Sequence, residues 1–342
     1  MQCTIIHVAK LAGVSPATVS RVVNRTAPVS PAVERKVRAA AAKLNFDLSR
    51  KGARLVAFLL GNRRLLHPFH SQVLESAEAF CSAEDYHMLF FTLHYNLTAP
   101  ARLIHLPAIM QRRDSVDGFI LAGVNSQGLL DLLANKRLPF AVFGDTMQGE
   151  WDEAGCDVVG IDDVNGAAEL TRHLLGLGHK RVWYVANLRQ GWFARRHRGY
   201  LSAMEQAGLP PLVCDIDSEN EYETGFLAAR RILSRDEPPE AIFAGSDAIC
   251  HGVYAAIREA GLSVPGDVAV AGFNDTPEAQ VLHPPLTTVR VFPEQVGRAL
   301  GALLLERIRD GAGLHRHVVI PTQLVRRESA QSSALRALPR PA

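Results

Sequence analysis

The 342-residue chain has no stretch of about 18 uncharged apolar residues, so no membrane-spanning helix is expected. Met1 to Lys10 lacks a basic start followed by an apolar core, and no secretion signal is expected there. Cysteine is scarce: Cys3, Cys81, Cys156, Cys214 and Cys250 are odd in number and widely scattered. Neither a CxxC pair nor a Cys/His cluster with metal-ligand spacing appears. The expectation is reduced, buried thiols in a cytoplasmic protein, with no disulfide framework and no metal. GxGxxG loops, Walker loops and nucleophile elbows are missing too. Nothing therefore supports an enzyme on a doubly wound fold, and no cofactor is expected.

Acidic residues are missing from one region in particular. Residues 1–55 hold ten Lys and Arg against only Glu34 and Asp47, a net charge of +8 that leaves −6 for the remainder. A small basic head on an acidic body points to a polyanion as the partner of the head.

Three short helices are legible in the first 46 residues. Thr4 caps the first, whose apolar positions Ile5, Val8, Ala9 and Ala12 share one face, and Gly13 ends it. Ser15 caps the second and Pro16 takes its first helical position, where a missing N–H costs nothing. Val19, Val22 and Val23 then form a buried face, leaving Pro16, Ala17, Ser20, Arg21 and Asn24 outward. Ser30 and Pro31 repeat the start signal for a third helix, buried through Val33, Val37, Ala40, Ala41 and Leu44.

Helix, tight glycine turn, helix is the pattern of a helix-turn-helix, whose second helix lies in the DNA major groove. Arg21 has the geometry for a bidentate pair with guanine, and Pro16 and Ala17 for apolar contact with a thymine methyl. Thr4, Ser15, Thr18, Ser20 and Asn24 suit phosphate contacts, which position the head without reading sequence. A plain helical bundle would explain the caps Ser15 and Ser30 equally well. It would not explain an outward face so poor in acids.

From residue 55 the pattern becomes apolar strand, then helix, repeated. Strands are predicted at 55–61, 87–92, 118–123, 140–145, 181–186, 241–247 and 268–273, as near-continuous apolar runs covered on both faces. The body is therefore α/β with right-handed crossovers. Its polar residues fall after the strands, where ligands bind in such folds: Asp145, Ser246, Asp247 and Asn274.

The run IIHVAKLAGVSPATVSRVVN, followed by VSPAVERKVRAAAAKLNF, closely resembles the head of the lac-repressor/purine-repressor (LacI) family of bacterial transcription regulators. VVGIDDVNGAAELTRHLLGLGHKRV, AIFAGSDAICHGVYAAIREAGLSVPGDVAVAGFND and HPPLTTVR resemble family landmarks, in family order, through the body. The resemblance implies a three-helix helix-turn-helix head on a two-lobed, periplasmic-binding-protein-like α/β body with parallel sheets. Its expected divisions are head 1–46, shortened hinge or linker 47–55, body 56–328 and a disordered tail 329–342. Within the body, one lobe takes 56–158 with 289–316 and the other 159–288 with 317–328. The implied function is a dimeric repressor, binding double-stranded palindromic operator DNA under control of a small effector, with no membrane partner. The other reading is a sugar-binding module with weakened DNA binding.

Residue by residue, the resemblance assigns effector contacts to Phe69, His70, Asp145, Trp192, Arg196, Asp247 and Asn274. An arginine, carboxylates and an aromatic face suit a sugar-like ligand. The competing readings, which weigh less, are packing for Phe69 and Trp192, a helix cap for Asp247 and a solvated basic cluster for Arg196. Two departures stand out. His7 replaces the family's usual acid near the first cap. Only residues 47–55 separate Phe46 from Val56, too few for both a hinge helix and a linker. Either Leu55 is the minor-groove wedge with no linker behind it, or the hinge helix is absent. The second fits better, since Leu55 abuts an apolar strand and Gly52 is a poor helix residue.

Overall fold

The computed structural model describes residues 4–24, 28–44, 46, 54–63, 68–108, 115–311 and 313–331. The chain forms two compact units, Met1–Arg54 and Leu55–Ala342. In the first, α1 (Ile5–Ala12), α2 (Pro16–Asn24) and α3 (Pro31–Lys43) enclose a small core of Val8, Ala9, Val19, Val37, Ala40, Ala41 and Phe46. Gly13 ends α1 at φ 67, a left-handed conformation that glycine adopts without a Cβ penalty. The Ser30 hydroxyl caps α3, accepting the Val33 N–H at 3.4 Å.

The second unit contains β1 (Leu55–Gly61), α4 (Pro68–Ala83), β2 (His87–Leu93), β3 (Gly118–Gly123), β4 (Asn125–Ser126), α5 (Gln127–Asn135), β5 (Phe140–Phe143), β6 (Met147–Gln148) and β7 (Asp157–Ile161). It continues with α6 (Asp163–Gly176), β8 (Val182–Ala186), α7 (Gly191–Gln206), β9 (Leu212–Asp215), α8 (Glu221–Leu233), β10 (Ala241–Ala244), α9 (Asp247–Glu259) and β11 (Ala269–Asn274). It closes with α10 (Pro277–Val281), β12 (Thr287–Arg290), α11 (Pro293–Asp310), β13 (His317–Ile320) and β14 (Gln323–Val325).

Two six-stranded sheets give two lobes, in the orders β13-β7-β5-β3-β1-β2 and β14-β12-β11-β10-β8-β9. Every pair is parallel except β12 with β14. Strands β3 and β10 are buried throughout and β1 from Val56 onward, which is why they read as continuous apolar runs.

The lobe boundaries differ from those expected. A division at 158 would cut β7, which pairs with β5 as far as Val159 and with β13 as far as Ile161 in the first sheet. Residues 287–290 belong to the second sheet and 317–320 to the first. The chain thus crosses at Asp162, at 291–292 and at 321–322. Asp162 ties two of these crossings together, its N–H donating to Ile320 O at 3.0 Å.

The expected disorder of the tail is also corrected at its start. Ser329 is buried, its hydroxyl accepting the Thr287 N–H at 2.7 Å and donating to Val270 O at 2.6 Å. Gln331 O lies 2.8 Å from His179 Nε2. Residues 332–342, the linker at 47–53 and Cys3 lie outside the described residues. The other four cysteines are buried and unpaired. Among the described residues no helix is long and apolar enough to cross a membrane.

Close helix packing in the second lobe depends on Gly225. A Cβ there would run into Ile249 O, with Val253 N at 3.1 Å, so α8 and α9 meet backbone to backbone. Gly225→Ala should destabilise the body by about 1–3 kcal/mol in urea unfolding, through overpacking. Alanine's intrinsic helix preference, about 1 kcal/mol, acts the other way. A stabilised variant would show that the two helices can separate freely.

Candidate functional site

In the first unit, the elements of the helix-turn-helix present one face of α2. Ser15 Oγ accepts the Thr18 N–H at 3.1 Å and lies 2.9 Å from Thr18 Oγ1, fixing the start of the helix. Pro16, Ala17 and Arg21 are exposed, while Thr18 and Ser20 are half-buried. Asn24 belongs to the helix, but its side chain lies outside the described residues. No acidic residue occurs before Glu34, so nothing on α1 or α2 repels a phosphate backbone. His7 does locally what an acid would do at that place. Its Nδ1 accepts the Thr4 N–H at 3.1 Å and lies 2.9 Å from Thr4 Oγ1. Leu55 is not held as a free wedge: it is the first residue of β1, and its backbone pairs with Asp117 through N–H to Oδ2 at 3.2 Å and O to N–H at 2.6 Å.

In the second unit, the carboxyl ends of both sheets face one another across a chamber of about 60 Å³. Phe69 and His70 reach it from the start of α4, Asp145 from the turn after β5, and Trp192 and Arg196 from α7. Asn274 completes the set at the end of β11, held at φ 117 with Asp275 at φ 54. Such left-handed non-glycine residues cost free energy and persist where the surroundings hold them, as they do here. Asn274 Oδ1 accepts from Arg196 NH2 at 3.1 Å, and Asp275 is clamped by Arg290 and Arg327, both at 2.6 Å.

Six of the seven residues assigned to the effector are thus brought together. Asp247 is the exception. It is 0% exposed and does not line the chamber; it holds the fold instead, accepting the Thr288 hydroxyl at 2.6 Å and the Thr276 N–H at 2.7 Å. Its neighbour Ser246 caps α9, accepting the Ile249 N–H at 3.2 Å, and faces the chamber.

Sequence reasoning missed Arg63, Asp163 and Glu221. Asp163 opens α6 and receives Arg196 Nε at 2.9 Å and Arg195 Nε and NH2 at 3.2 and 3.1 Å. The GIDD sequence at the first crossing was the available signal. Glu221 Oε2 accepts the Ser246 hydroxyl at 2.5 Å. Arg63 stacks 4.4 Å above the Trp192 ring, and no motif marks it.

The electrostatics are nearly balanced. Arg196 is almost fully enclosed, also donating to Gly245 O at 2.7 Å and lying 3.9 Å above the Phe273 ring. It belongs to an internal ion cluster and not to a solvated basic face. Burial pushes the Asp145 carboxyl well above the usual carboxylate range, although Arg195 lies beside it and Ile161 N–H donates to it at 2.7 Å. Burial lowers the Arg63 guanidinium, offset by Glu221 and Glu219. The chamber therefore offers hydrogen-bonding groups with little net charge. Among the described residues no group of three His, Cys, Asp or Glu side chains could hold a metal ion.

Burial also raises Asp247, to about 6, with Asp275 adding to the effect and the Thr288 and Thr276 bonds opposing it. An acid whose folded pKa lies above its unfolded one makes the native state bind the extra proton. The stability so gained is present below about pH 4 and lost as pH rises through the folded value. Asp247→Asn removes this term. In urea unfolding, wild type should lose stability relative to the variant between about pH 4 and pH 7; a pH-independent difference would place the titration elsewhere.

Comparison with known proteins agrees with this geometry. Residues 4–48 match the family described as bacterial regulatory proteins, lacI family, and residues 171–330 match a periplasmic binding protein-like domain. The ribose operon repressor of Escherichia coli K12 is 31% identical, over 96% of this chain and 99% of its own. The HTH-type transcriptional repressor PurR of Haemophilus influenzae is 29% identical with the same coverage. The structure of a complex of the transcriptional regulator CelR with cellobiose aligns with TM-score 0.69 and 27% identity, over 96% of this chain and all of that one. A head built to face DNA, a two-lobed body closing on a polar chamber and full-length similarity to these repressors lead to one conclusion: the chain belongs to the lacI family of bacterial regulatory proteins.

Proposed function

We propose that this protein is a cytoplasmic, homodimeric repressor of transcription, which binds a palindromic operator and is controlled by a small sugar-like effector held between the lobes. It acts by binding and not as an enzyme. The observation that carries the reading is the pairing of two sites on one chain. One is an acid-free, exposed face on α2, and the other is a nearly neutral polar chamber between two lobes.

On DNA, Arg21 reads a guanine edge, and Pro16 and Ala17 make apolar contacts. Thr4, Ser15, Thr18, Ser20 and Asn24 hold phosphates. In the chamber, Trp192 and Phe69 offer aromatic faces to the C–H side of a sugar ring. Asp145, His70, Arg196 and Asn274 meet its hydroxyls. A neutral polyol fits the balanced charge, because the two cations Arg195 and Arg196 already face the two carboxyl groups of Asp145 and Asp163. The relative named for the ribose operon and the regulator whose structure is a complex with cellobiose support the sugar class. Effector binding and DNA binding are then coupled through two arrangements of the body.

The short connection from Phe46 to β1, with Leu55 committed to the strand, favours heads that bind without a leucine-driven kink. It also gives substance to a second reading: a ligand-binding module whose heads have lost specificity.

Selection from a random duplex library at physiological salt separates the two. An enriched palindrome, with affinity falling steeply as salt rises, is expected of the repressor. No enrichment would favour the second reading. Arg21→Ala should cost about 1–3 kcal/mol and relax specificity at one base pair in each half-site. A uniform loss across all sequences would make Arg21 a phosphate contact.

A further inference from the structure

The lobes are joined across the cleft by side chains that need no ligand. Arg63 follows β1 and Asp145 follows β5, both in the first lobe. Trp192 and Arg195 lie on α7 in the second lobe, three residues apart and so on one face of the helix. The Arg63 guanidinium sits 4.4 Å above the Trp192 ring. Arg195 NH2 donates to Asp145 O at 2.8 Å and lies 3.2 Å from Asp145 Oδ1. The start of the helix rests directly on the turn between β5 and β6: a Cβ on Gly191 would lie 3.7 Å from both Asp145 O and Met147 O.

We propose that the first two turns of α7 form a clasp, Trp192 under Arg63 and Arg195 on Asp145, that closes the lobes before an effector arrives. This rests on the reading of the chamber as the effector site. The chamber of about 60 Å³ is flanked by hollows of about 760 and 830 Å³, the first sharing Phe69, Glu221 and Asn274 with it and the second Arg63, Trp192 and Glu221. A ring that stacks on this face of Trp192 must take it from Arg63.

The clasp is built to release. Arg195 bridges two carboxylates, Asp145 from the first lobe and Asp163 from its own, with only Asp163 staying with it on opening. Parting the lobes therefore strands no cation in a dry interior, while Asp145 regains water. Arg63 likewise forms no ion pair among the described residues. Glu219 and Glu221 act on it only through space, so it leaves the Trp192 ring without breaking a charge-assisted bond. Arg63 and Arg195 are positioning residues that set the cost of entry, Arg63 by covering a face that a ligand would use.

The test needs neither effector nor DNA. Nitroxide labels at His94→Cys and Asp217→Cys, in a Cys3→Ser background of the full chain, report the width of the cleft mouth by pulsed electron paramagnetic resonance. Dilution into unlabelled protein keeps only distances within one chain. The ligand-free wild type should give a single narrow distance. Arg63→Met with Arg195→Met should lengthen and broaden it, and Arg195→Lys should restore part of the narrow population. Arg63→Met alone removes no ion pair among the described residues and covers the case in which the double variant folds poorly. A wild type already broad, or variants indistinguishable from it, would overturn the clasp. Failure of any sugar to bind in the chamber would leave this distance result unaffected, so the two readings fail separately.

Discussion

Asp163 stands where the chain first enters the second lobe, its carboxylate 1% exposed, and three N–H groups of Arg195 and Arg196 converge on it. Arg196 spends its remaining bonds on Gly245 O after β10 and Asn274 Oδ1 at the end of β11. One buried cluster thus joins the start of α6, the first half of α7 and the ends of two central strands. Buried ions are stable only as a set. Removing one partner strands the other, at about 3–5 kcal/mol, so the floor of the chamber moves as one piece.

That rigidity gives the cleft its division of labour. The second lobe supplies a fixed floor of ions and the Trp192 face. The first lobe supplies Phe69 and His70 from the start of α4 and Asp145 from the turn after β5. Three chain crossings, two of them hydrogen-bonded to one another through Asp162 and Ile320, are the points about which the lobes can move. A ligand shifts such a body only as far as it binds one arrangement better than the other. Side chains that join the lobes without a ligand set the starting point of that balance.

Much of this was legible in the residues. The seven strands expected as apolar runs are all present; six are central parallel strands, which are covered on both faces and tolerate little else, and the seventh, β2, is a half-buried edge strand. The short strands were not. DVVGI at 157–161 carries a charge and a glycine, and HVVI at 317–320 lies at a sheet edge with Val319 exposed, so neither reads as a core run. The lobe boundaries were misplaced for the same reason, since they are defined by which sheet those strands join. Local signals in the head succeeded because caps, the Gly13 turn and helical spacing act within a few residues. Of the assigned chamber residues, Asp247 failed. An acid after a strand looks alike whether it faces a ligand or two threonines, one 29 and the other 41 residues away.

The sequence by itself determined the architecture: a basic helical head, an α/β body, and the strand ends at which polar residues gather. These follow from periodicity, capping and charge, which operate over short stretches of chain. Only the tertiary structure decided which polar groups face each other. It turned Asp247 inward, spent Arg195 and Arg196 on Asp163, and set Arg63 on Trp192, 129 residues away in the chain. Pairing between buried charges depends on distance and desolvation in space, and neither quantity is written in the local order of residues.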